Sequence, residues 1–191
     1  MKRLHLVFIV IALVASEWVV VASQQDDPLA RLNSPEEKAK IERKHAEIDK
    51  LTKHVARQVR ESEKNWAFEK SSGGSSAPDK DNKSIVYFTE SWKNDGDTVQ
   101  VNGVLHDSVE DAQRQPLFYR ATRGVSPYSQ ERIAGIGDQA WLLEYPGSID
   151  LVFYRGTHSV SLRVVATDRA KSTEIVKRFA KYYDQAIASV K

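Results

Sequence analysis

Apolar and polar positions follow a succession of different patterns along this chain. An unbroken apolar run over residues 6–15 is followed, from residue 35, by a charged region with sparse apolar positions three, four or seven residues apart. From residue 84 onward apolar and polar residues alternate, and the C-terminal residues return to a helical spacing. Alternation is typical of half-buried strands, whereas spacings of three and four are typical of an amphipathic helix. The order predicts a long helix, a set of strands and a final helix.

The first 23 residues have the pattern of a secretory signal peptide. Lys2 and Arg3 precede the apolar run, and the small residues Ala22 and Ser23 follow it. A basic start, a short apolar run and a small-residue cleavage site define such signals. We therefore expect a secreted or periplasmic protein from which residues 1–23 are removed. The alternative is an uncleaved membrane anchor, which Glu17 disfavours by roughly 2.5–3.5 kcal/mol if its carboxylate lies deep in the bilayer.

Residues 24–70 combine a polar segment with a charged helix predicted over residues 35–69. Ser34, Pro35 and Glu37 form a capping-box start, in which side chains satisfy the free backbone N–H groups of the first turn. The apolar positions form one narrow stripe: Ile41, Ile48, Leu51, Val55, Val59 and Trp66. Such a stripe predicts a helix that lies along its own domain or partly in solvent. A short coiled-coil seam is the alternative, although Lys44 and Gln58 would occupy its core positions.

Residues 71–83 are predicted to be a flexible linker. Serine and glycine dominate residues 71–76, and charged residues follow after Pro78. Chains of this composition behave as flexible coils. We therefore place a domain boundary here and assign the globular domain to residues 84–191.

The domain over residues 84–191 is predicted to be of the α+β class. Strands are expected at residues 85–89, 98–106, 140–145, 149–155 and 158–166, with turns at 94–97, 146–147 and 156–157. Ser108 is a candidate cap of a short helix, and residues 116–120 are assigned to a short strand. The amphipathic residues up to Val190 predict a helix that packs on the sheet. The fold class is thus an antiparallel β-sheet meander with a packed C-terminal helix, preceded by the long charged helix.

A glycine-rich turn precedes the predicted strand at residue 140. Gly135, Gly137 and Ala140 match the letters of a dinucleotide-binding fingerprint, which requires a strand before it and a helix after it. Here a strand follows instead and ends at Pro146. We therefore interpret Gly135, Gly137 and Asp138 as a tight-turn motif, with Trp141 as its anchor, and expect no cofactor.

The region over residues 134–191 resembles small secreted domains of the Mog1/PsbP-like kind. The matching residues are Gly135, Gly137, Asp138, Ala140, Trp141, Arg155 and Gly156. The resemblance implies an antiparallel sheet with flanking helices, and a non-catalytic accessory or binding role.

Composition narrows the chemistry that the chain can perform. It contains no cysteine, which excludes thiol nucleophiles, sulfur-ligated zinc and a lipid-modified cysteine. A net charge of +2 provides no strong attraction to nucleic acid. His45 and His54 lie on opposite sides of the predicted helix, while His106 and His158 fall at strand ends. No serine-nucleophile elbow is present, so we assign no catalytic, cofactor-binding or metal-binding residue.

We expect an exported, non-catalytic binding or accessory module. Its partner would be an envelope or extracellular protein or a small ligand, with a membrane contact only if the signal stays uncleaved. Tyr87, Trp92 and Tyr154 are predicted to form a binding face on the sheet, unless the N-terminal helix buries them. The alternatives are a hydrolase-like enzyme with an unrecognised site, and a scaffolding protein that self-associates through residues 35–69.

Overall fold

The structure of this protein is a computed structural model that describes residues 34–76, 83–165 and 168–190. The predicted signal peptide lies outside the described residues. In chain order the elements are α1 (Pro35–Ser62), β1 (Ala67–Ser75), β2 (Val86–Asn94), β3 (Asp97–Leu105), α2 (Val109–Thr122), β4 (Ser129–Ile133), β5 (Gln139–Tyr145), β6 (Ser148–Arg155), β7 (His158–Val165) and α3 (Arg169–Ser189). No helix in these ranges has the length and apolar character needed to cross a membrane.

The strands form one seven-stranded antiparallel sheet in the order β1-β2-β3-β7-β6-β5-β4. Two meanders, β1–β3 and β4–β7, are joined where β3 pairs with β7, and α2 connects them along the chain. The predicted α+β class, with its antiparallel sheet, N-terminal helix and C-terminal helix, is confirmed. The predicted turn at residues 94–97 is also present, with Asp95 and Gly96 both at positive φ, as a two-residue type I′ hairpin requires.

Helices α1 and α3 cover one side of the sheet, which we call the inner face. On α3, Phe179 and Tyr183 lie against Trp92 and Phe88 of β2. The apolar stripe of α1 belongs to the same core, and Leu51 is completely buried in it. Helix α1 therefore lies along its own domain, and its apolar stripe is covered within the molecule.

Polar residues of α1 also attach the helix to the sheet. Lys44, which would occupy a core position of the alternative coiled-coil seam, extends its ammonium group to Asp107 Oδ1 at 2.6 Å and to the carbonyl oxygen of Ser84 at 2.5 Å. Lys40 contacts Asp107 Oδ2 at 2.7 Å. A buried lysine needs such partners because desolvation of its charge is costly. This ion pair explains why a charged residue interrupts the apolar stripe.

The predicted linker is wrong for residues 71–75, which form the second half of β1. That strand pairs with β2 from Ala67 to Ser75. Serine and glycine do not prevent this pairing, since ladder hydrogen bonds come from the backbone. Gly74 allows a close approach, because a Cβ there would lie 2.7 Å from Tyr87 Oη. Residues 77–82 lie outside the described residues, and α1 and β1 join the sheet in one domain rather than preceding a boundary at residue 71.

Two local predictions also fail at the ends of helices. Helix α1 ends at Ser62 rather than at residue 69, and the N–H of Glu63 closes it on the carbonyl oxygen of Val59. Residues 116–120, predicted as a strand, form the second half of α2, which Ser108 caps as expected. Pro116 disfavours a helix interior because it lacks an N–H group. The packing of α2 on β6 and β7 overrides that preference.

Candidate binding groove beside helix α2

Helix α2 lies across the opposite side of the sheet, which we call the outer face, and packs on β6 and β7. Beside it, toward β5 and β4, is a groove of about 250 Å³. The apolar residues that line it are Pro116, Trp141, Leu143 and Val152. The polar residues that line it are Gln113, Arg120, Gln130 and Gln139. We call this cavity the Trp141 groove.

Simple periodicities place these residues in the groove. Gln139, Trp141 and Leu143 alternate along β5 and therefore share the outer face. Gln130 of β4 lies opposite Leu143 in the antiparallel register. On α2, positions three and four residues apart lie on one side of a helix, so that side carries Gln113, Pro116 and Arg120. The sheet thus provides the floor of the groove and the helix provides a wall.

The groove has a neutral to positive polar lining. A guanidinium N–H of Arg120 donates a hydrogen bond to Gln130 Oε1, which leaves the amide N–H groups of Gln130 free to point elsewhere. Each glutamine amide offers donors and an acceptor. None of the lining residues is a carboxylate, and the indole of Trp141 is half-buried among them.

A buried charge cluster holds the C-terminal end of α2 on the outer face. Asp150 is completely buried and accepts hydrogen bonds from Tyr119 Oη at 2.7 Å and Ser148 Oγ at 3.0 Å. The Nε atoms of Arg123 and Arg163 both lie 3.4 Å from Asp150 Oδ2. Two guanidinium groups offset the cost of burying this carboxylate, which would be several kcal/mol if it were unpaired.

The charge cluster continues into the small core under the groove. The guanidinium of Arg123 stacks over the ring of Tyr145 at 4.4 Å, a cation–π contact. Burial and the neighbouring Asp150 raise the pKa of Tyr119, so its hydroxyl stays protonated and can donate. Tyr119 and Trp141 pack against the buried cluster of Leu143, Tyr145 and Val152. The position of α2, and with it the shape of the groove, depends on this cluster.

A second cavity of about 180 Å³ lies on the other side of α2, and one member of a serine–histidine pair lines it. Ser159 lines it, and its Oγ is 2.8 Å from His106 Nε2. Such a pair can activate a nucleophile, but burial lowers the pKa of His106 to about 4, which makes it a weak base. Among the described residues no carboxylate bonds its other ring nitrogen. The hydrogen bond between the two side chains satisfies two buried polar groups.

The structure does not bring the predicted binding-face residues together. Tyr87 is 43% exposed on the outer face, and Tyr154 is buried on that same face. Trp92 is completely buried on the inner face, where its Nε1 donates to Tyr183 Oη at 3.3 Å. Residues 87 and 92 are an odd number of positions apart in one strand, and alternation therefore sends their side chains to opposite faces.

The predicted turn motif holds neighbouring backbone segments together. Gly135 and Gly137 have φ values of +78° and +59°, a region that favours glycine. Asp138 accepts a hydrogen bond from the N–H of Gly156 at 2.8 Å, which connects this turn to the β6–β7 hairpin. The motif lies in a run of bends between β4 and β5.

The same turn is also attached to α3. The N–H of Gly137 donates to Asp184 Oδ1 at 2.9 Å, and Arg155 Nη2 donates to Asp184 Oδ2 at 3.0 Å. Trp141, predicted to anchor the turn, lies instead in the groove on the outer face. The turn residues therefore have a structural role. The indole of Trp141 does not take part in the turn and contributes to the lining of the groove instead.

Sequence reasoning missed the groove almost completely. Its three glutamines and Arg120 match no motif. Because residues 116–120 were predicted as a strand, the helical side of α2 that lines the groove was not recognised. The only usable signals were the helical spacing of Gln113, Pro116 and Arg120 and the alternation of β5. In the described part of the chain, no group of three or more histidine or acidic side chains could hold a metal ion.

Comparison with known proteins adds no relative. No protein-family model, no curated protein and no solved structure matches this chain. The fold and the site together define an α+β protein whose sheet carries two helices on its inner face and one helix beside a groove on its outer face. The resemblance to Mog1/PsbP-like domains stays a prediction.

Proposed function

We propose that this chain is an exported, non-catalytic binding module and that a small ligand occupies the Trp141 groove. The observation that carries the proposal is the convergence of a half-buried indole, three amides and one guanidinium in a single cavity. Concave sites with an apolar lining and a few polar groups are typical of small-molecule binding. Export rests on the basic start and apolar run of residues 1–23.

The lining residues favour binding over catalysis. Glutamine, arginine, proline, tryptophan, leucine and valine are the residue types present in the groove. None of them is an ordinary nucleophile or a general acid or base near neutral pH. A molecule held in this groove would be recognised without being chemically altered, which argues against the hydrolase-like alternative.

The scaffolding alternative has less support, because self-association through α1 would require its apolar stripe. Leu51, Val55 and Val59 of that stripe are completely buried against the sheet and α3. Exposing them for a partner helix would cost on the order of 1.5–3 kcal/mol for each side chain.

A ligand screen with matched variants tests the binding proposal. The purified full chain is screened by thermal shift against a library of small metabolites, and hits are measured again with Trp141→Ala and Tyr128→Ala. Tyr128 is 73% exposed and does not line the groove. We expect ligand-induced stabilisation that Trp141→Ala abolishes and Tyr128→Ala preserves. Stabilisation that survives Trp141→Ala, or a screen without hits, would overturn the proposal.

Export is tested separately with a reporter. Residues 1–33 are fused to an enzyme that is active only outside the cytoplasm, and we expect activity from this fusion. Ile9→Lys should abolish the activity because it interrupts the apolar run, whereas Ile9→Leu should preserve it. Equal activity of the two variants would contradict the signal assignment.

A further inference from the structure

We propose that the Trp141 groove binds one pyranose ring, either a free monosaccharide or the terminal residue of a glycan. This inference rests on the proposed binding function and concerns the chemistry of the ligand. It follows from the residue types of the groove, their hydrogen-bonding capacity, their charge and the volume they enclose.

The indole of Trp141 offers the groove a surface on which a sugar ring can stack. It lies on the outer face of β5, half-buried and flanked by Pro116, Leu143 and Val152. The face of an aromatic ring is flat, apolar and electron-rich. One face of a pyranose presents polarised C–H groups, which such a ring attracts while both surfaces leave water. The position and exposure of the indole therefore suit stacking with a sugar ring.

The three amides of the groove suit a ligand that carries several hydroxyl groups. Gln113, Gln130 and Gln139 can each donate and accept hydrogen bonds, and hydroxyl groups can do the same. A polyhydroxylated ring could pair with donors and acceptors alike. An apolar ligand would leave the partly buried amide of Gln139 desolvated and unpaired, at about 1–3 kcal/mol. The lining thus favours a polyol over a lipid or a hydrocarbon ring.

The charge of Arg120 and its hydrogen bond to Gln130 also affect which sugars the groove accepts. Of the described residues that line the groove, Arg120 alone is charged, so neutral and acidic sugars are accepted and amino sugars with a free ammonium are disfavoured. Its hydrogen bond to Gln130 Oε1 orients that amide before a ligand arrives. Groups that are already oriented lose less entropy on binding.

The volume limits the size of the ligand. A cavity of about 250 Å³ is below the range of about 300–1,000 Å³ that is typical of drug-sized ligands. It suits one ring rather than an oligosaccharide chain. Gln113 and Gln130 are exposed to solvent, so the remaining units of a glycan could extend outward from them.

The test uses the purified full chain with free monosaccharides and with a glycan array. Saturation-transfer NMR is recorded with glucose, galactose, N-acetylglucosamine and glucuronate at millimolar concentration. We expect saturation of the ring C–H protons, loss of binding in Trp141→Ala, and an about tenfold weaker affinity in Gln139→Leu. Gln100→Leu, an exposed change on β3 outside the groove, should bind like the parent protein.

The outcomes separate the two sources of sugar and the two proposals. Binding of free sugars identifies a monosaccharide ligand, whereas binding only on the array identifies a glycan terminus, and either result supports the inference. Sugar binding that Trp141→Ala leaves intact overturns it. If sugars fail but another metabolite stabilises the protein in a Trp141-dependent manner, the sugar assignment is wrong and the binding function stands. If no compound binds, both proposals fail.

Discussion

At the residue scale, the interior contains a carboxyl group whose titration should be visible in stability. Glu90 is 4% exposed on the inner face of β2, and Tyr183 of α3 donates a hydrogen bond to it. Burial raises the pKa of Glu90 from 4.5 to about 7, an effect that this hydrogen bond only partly offsets. The folded protein therefore binds this proton more tightly than the unfolded chain does.

Glu90→Gln should change the dependence of the free energy of unfolding on pH. Because its pKa is raised on folding, the stability associated with Glu90 is complete below pH 4.5 and is lost as pH rises through about 7. The shift corresponds to roughly 3 kcal/mol. Glutamine does not ionise, so the variant should gain stability relative to the parent between pH 5 and pH 8, as measured by urea unfolding. His106 is present in both proteins, and the difference isolates Glu90. An equal pH dependence would contradict the prediction.

Two glycines of the turn motif provide a matched pair of variants. Both have positive φ, but a Cβ on Gly137 would lie 2.4 Å from the carbonyl oxygen of Tyr154, whereas a Cβ on Gly135 would meet nothing within 4 Å. We expect Gly135→Ala to cost roughly 1–2 kcal/mol through backbone strain alone. Gly137→Ala should cost clearly more, because the backbone must also move. Chemical denaturation measures both, and equal losses would show that the close approach is relieved cheaply.

At the element scale, the packing of α2 on the outer face controls the groove. The helix supplies one wall, and its C-terminal end is held by the charge cluster around Asp150. The amphipathic pattern of α2 is weak, and Pro116 interrupts its hydrogen-bonding ladder. The position of α2 therefore depends on long-range polar contacts more than on an amphipathic pattern in its own sequence.

Asp150→Asn tests this dependence. The change leaves two half-buried guanidinium groups without their carboxylate. We expect a loss of stability no greater than the ~3–5 kcal/mol that is typical of breaking a fully buried ion pair, because solvent partly screens the two arginines. The exposed pair of Arg114 and Glu110 is the control, since Glu110→Gln should cost less than about 0.5 kcal/mol. Thermal unfolding gives the stabilities, and hydrogen exchange should show α2 losing protection first. Uniform loss of protection across the sheet would argue against a local role of Asp150.

At the scale of the whole molecule, α1, α3 and the sheet share one core. Strand β1 follows α1 and pairs with β2 along its length, so the segment before residue 76 is integrated with the residues after 83. Two independent units would each require a core of their own, whereas among the described residues the apolar stripe of α1 packs against the sheet and α3. The described residues should therefore unfold as one cooperative unit.

Leu51→Ala tests this cooperativity. Leu51 is completely buried on α1, and such truncations cost about 2–5 kcal/mol. Far-UV circular dichroism and tryptophan fluorescence should report one coincident transition at a lower denaturant concentration. Lys53→Ala, an exposed change on the same helix, should leave that transition in place. An early loss of helical signal with an unchanged fluorescence transition would show that α1 folds separately.

The amino-acid sequence by itself determined those local elements whose capping, turn and alternation signals lie within a few residues of one another. Ser34 and Ser108 mark the starts of two helices, and the turn at Asp95 and Gly96 needs only residues that tolerate positive φ. Alternation along β6 and β7 predicted a hairpin that the structure contains. These features depend on neighbours a few positions away, and a single sequence carries that information. The α+β class follows from their order.

Only the tertiary structure decided which surfaces meet. The β1 strand lacks large side chains over residues 71–75 and exists because β2 offers its backbone. The faces of Trp92 and Tyr87 depend on where α1 and α3 pack, and residues 116–120 are helical because α2 lies on β6 and β7. The groove joins Gln113 to Trp141 across a helix–sheet contact that Asp150 maintains. Such contacts depend on long-range register and on compensation of buried charge, which local patterns do not encode.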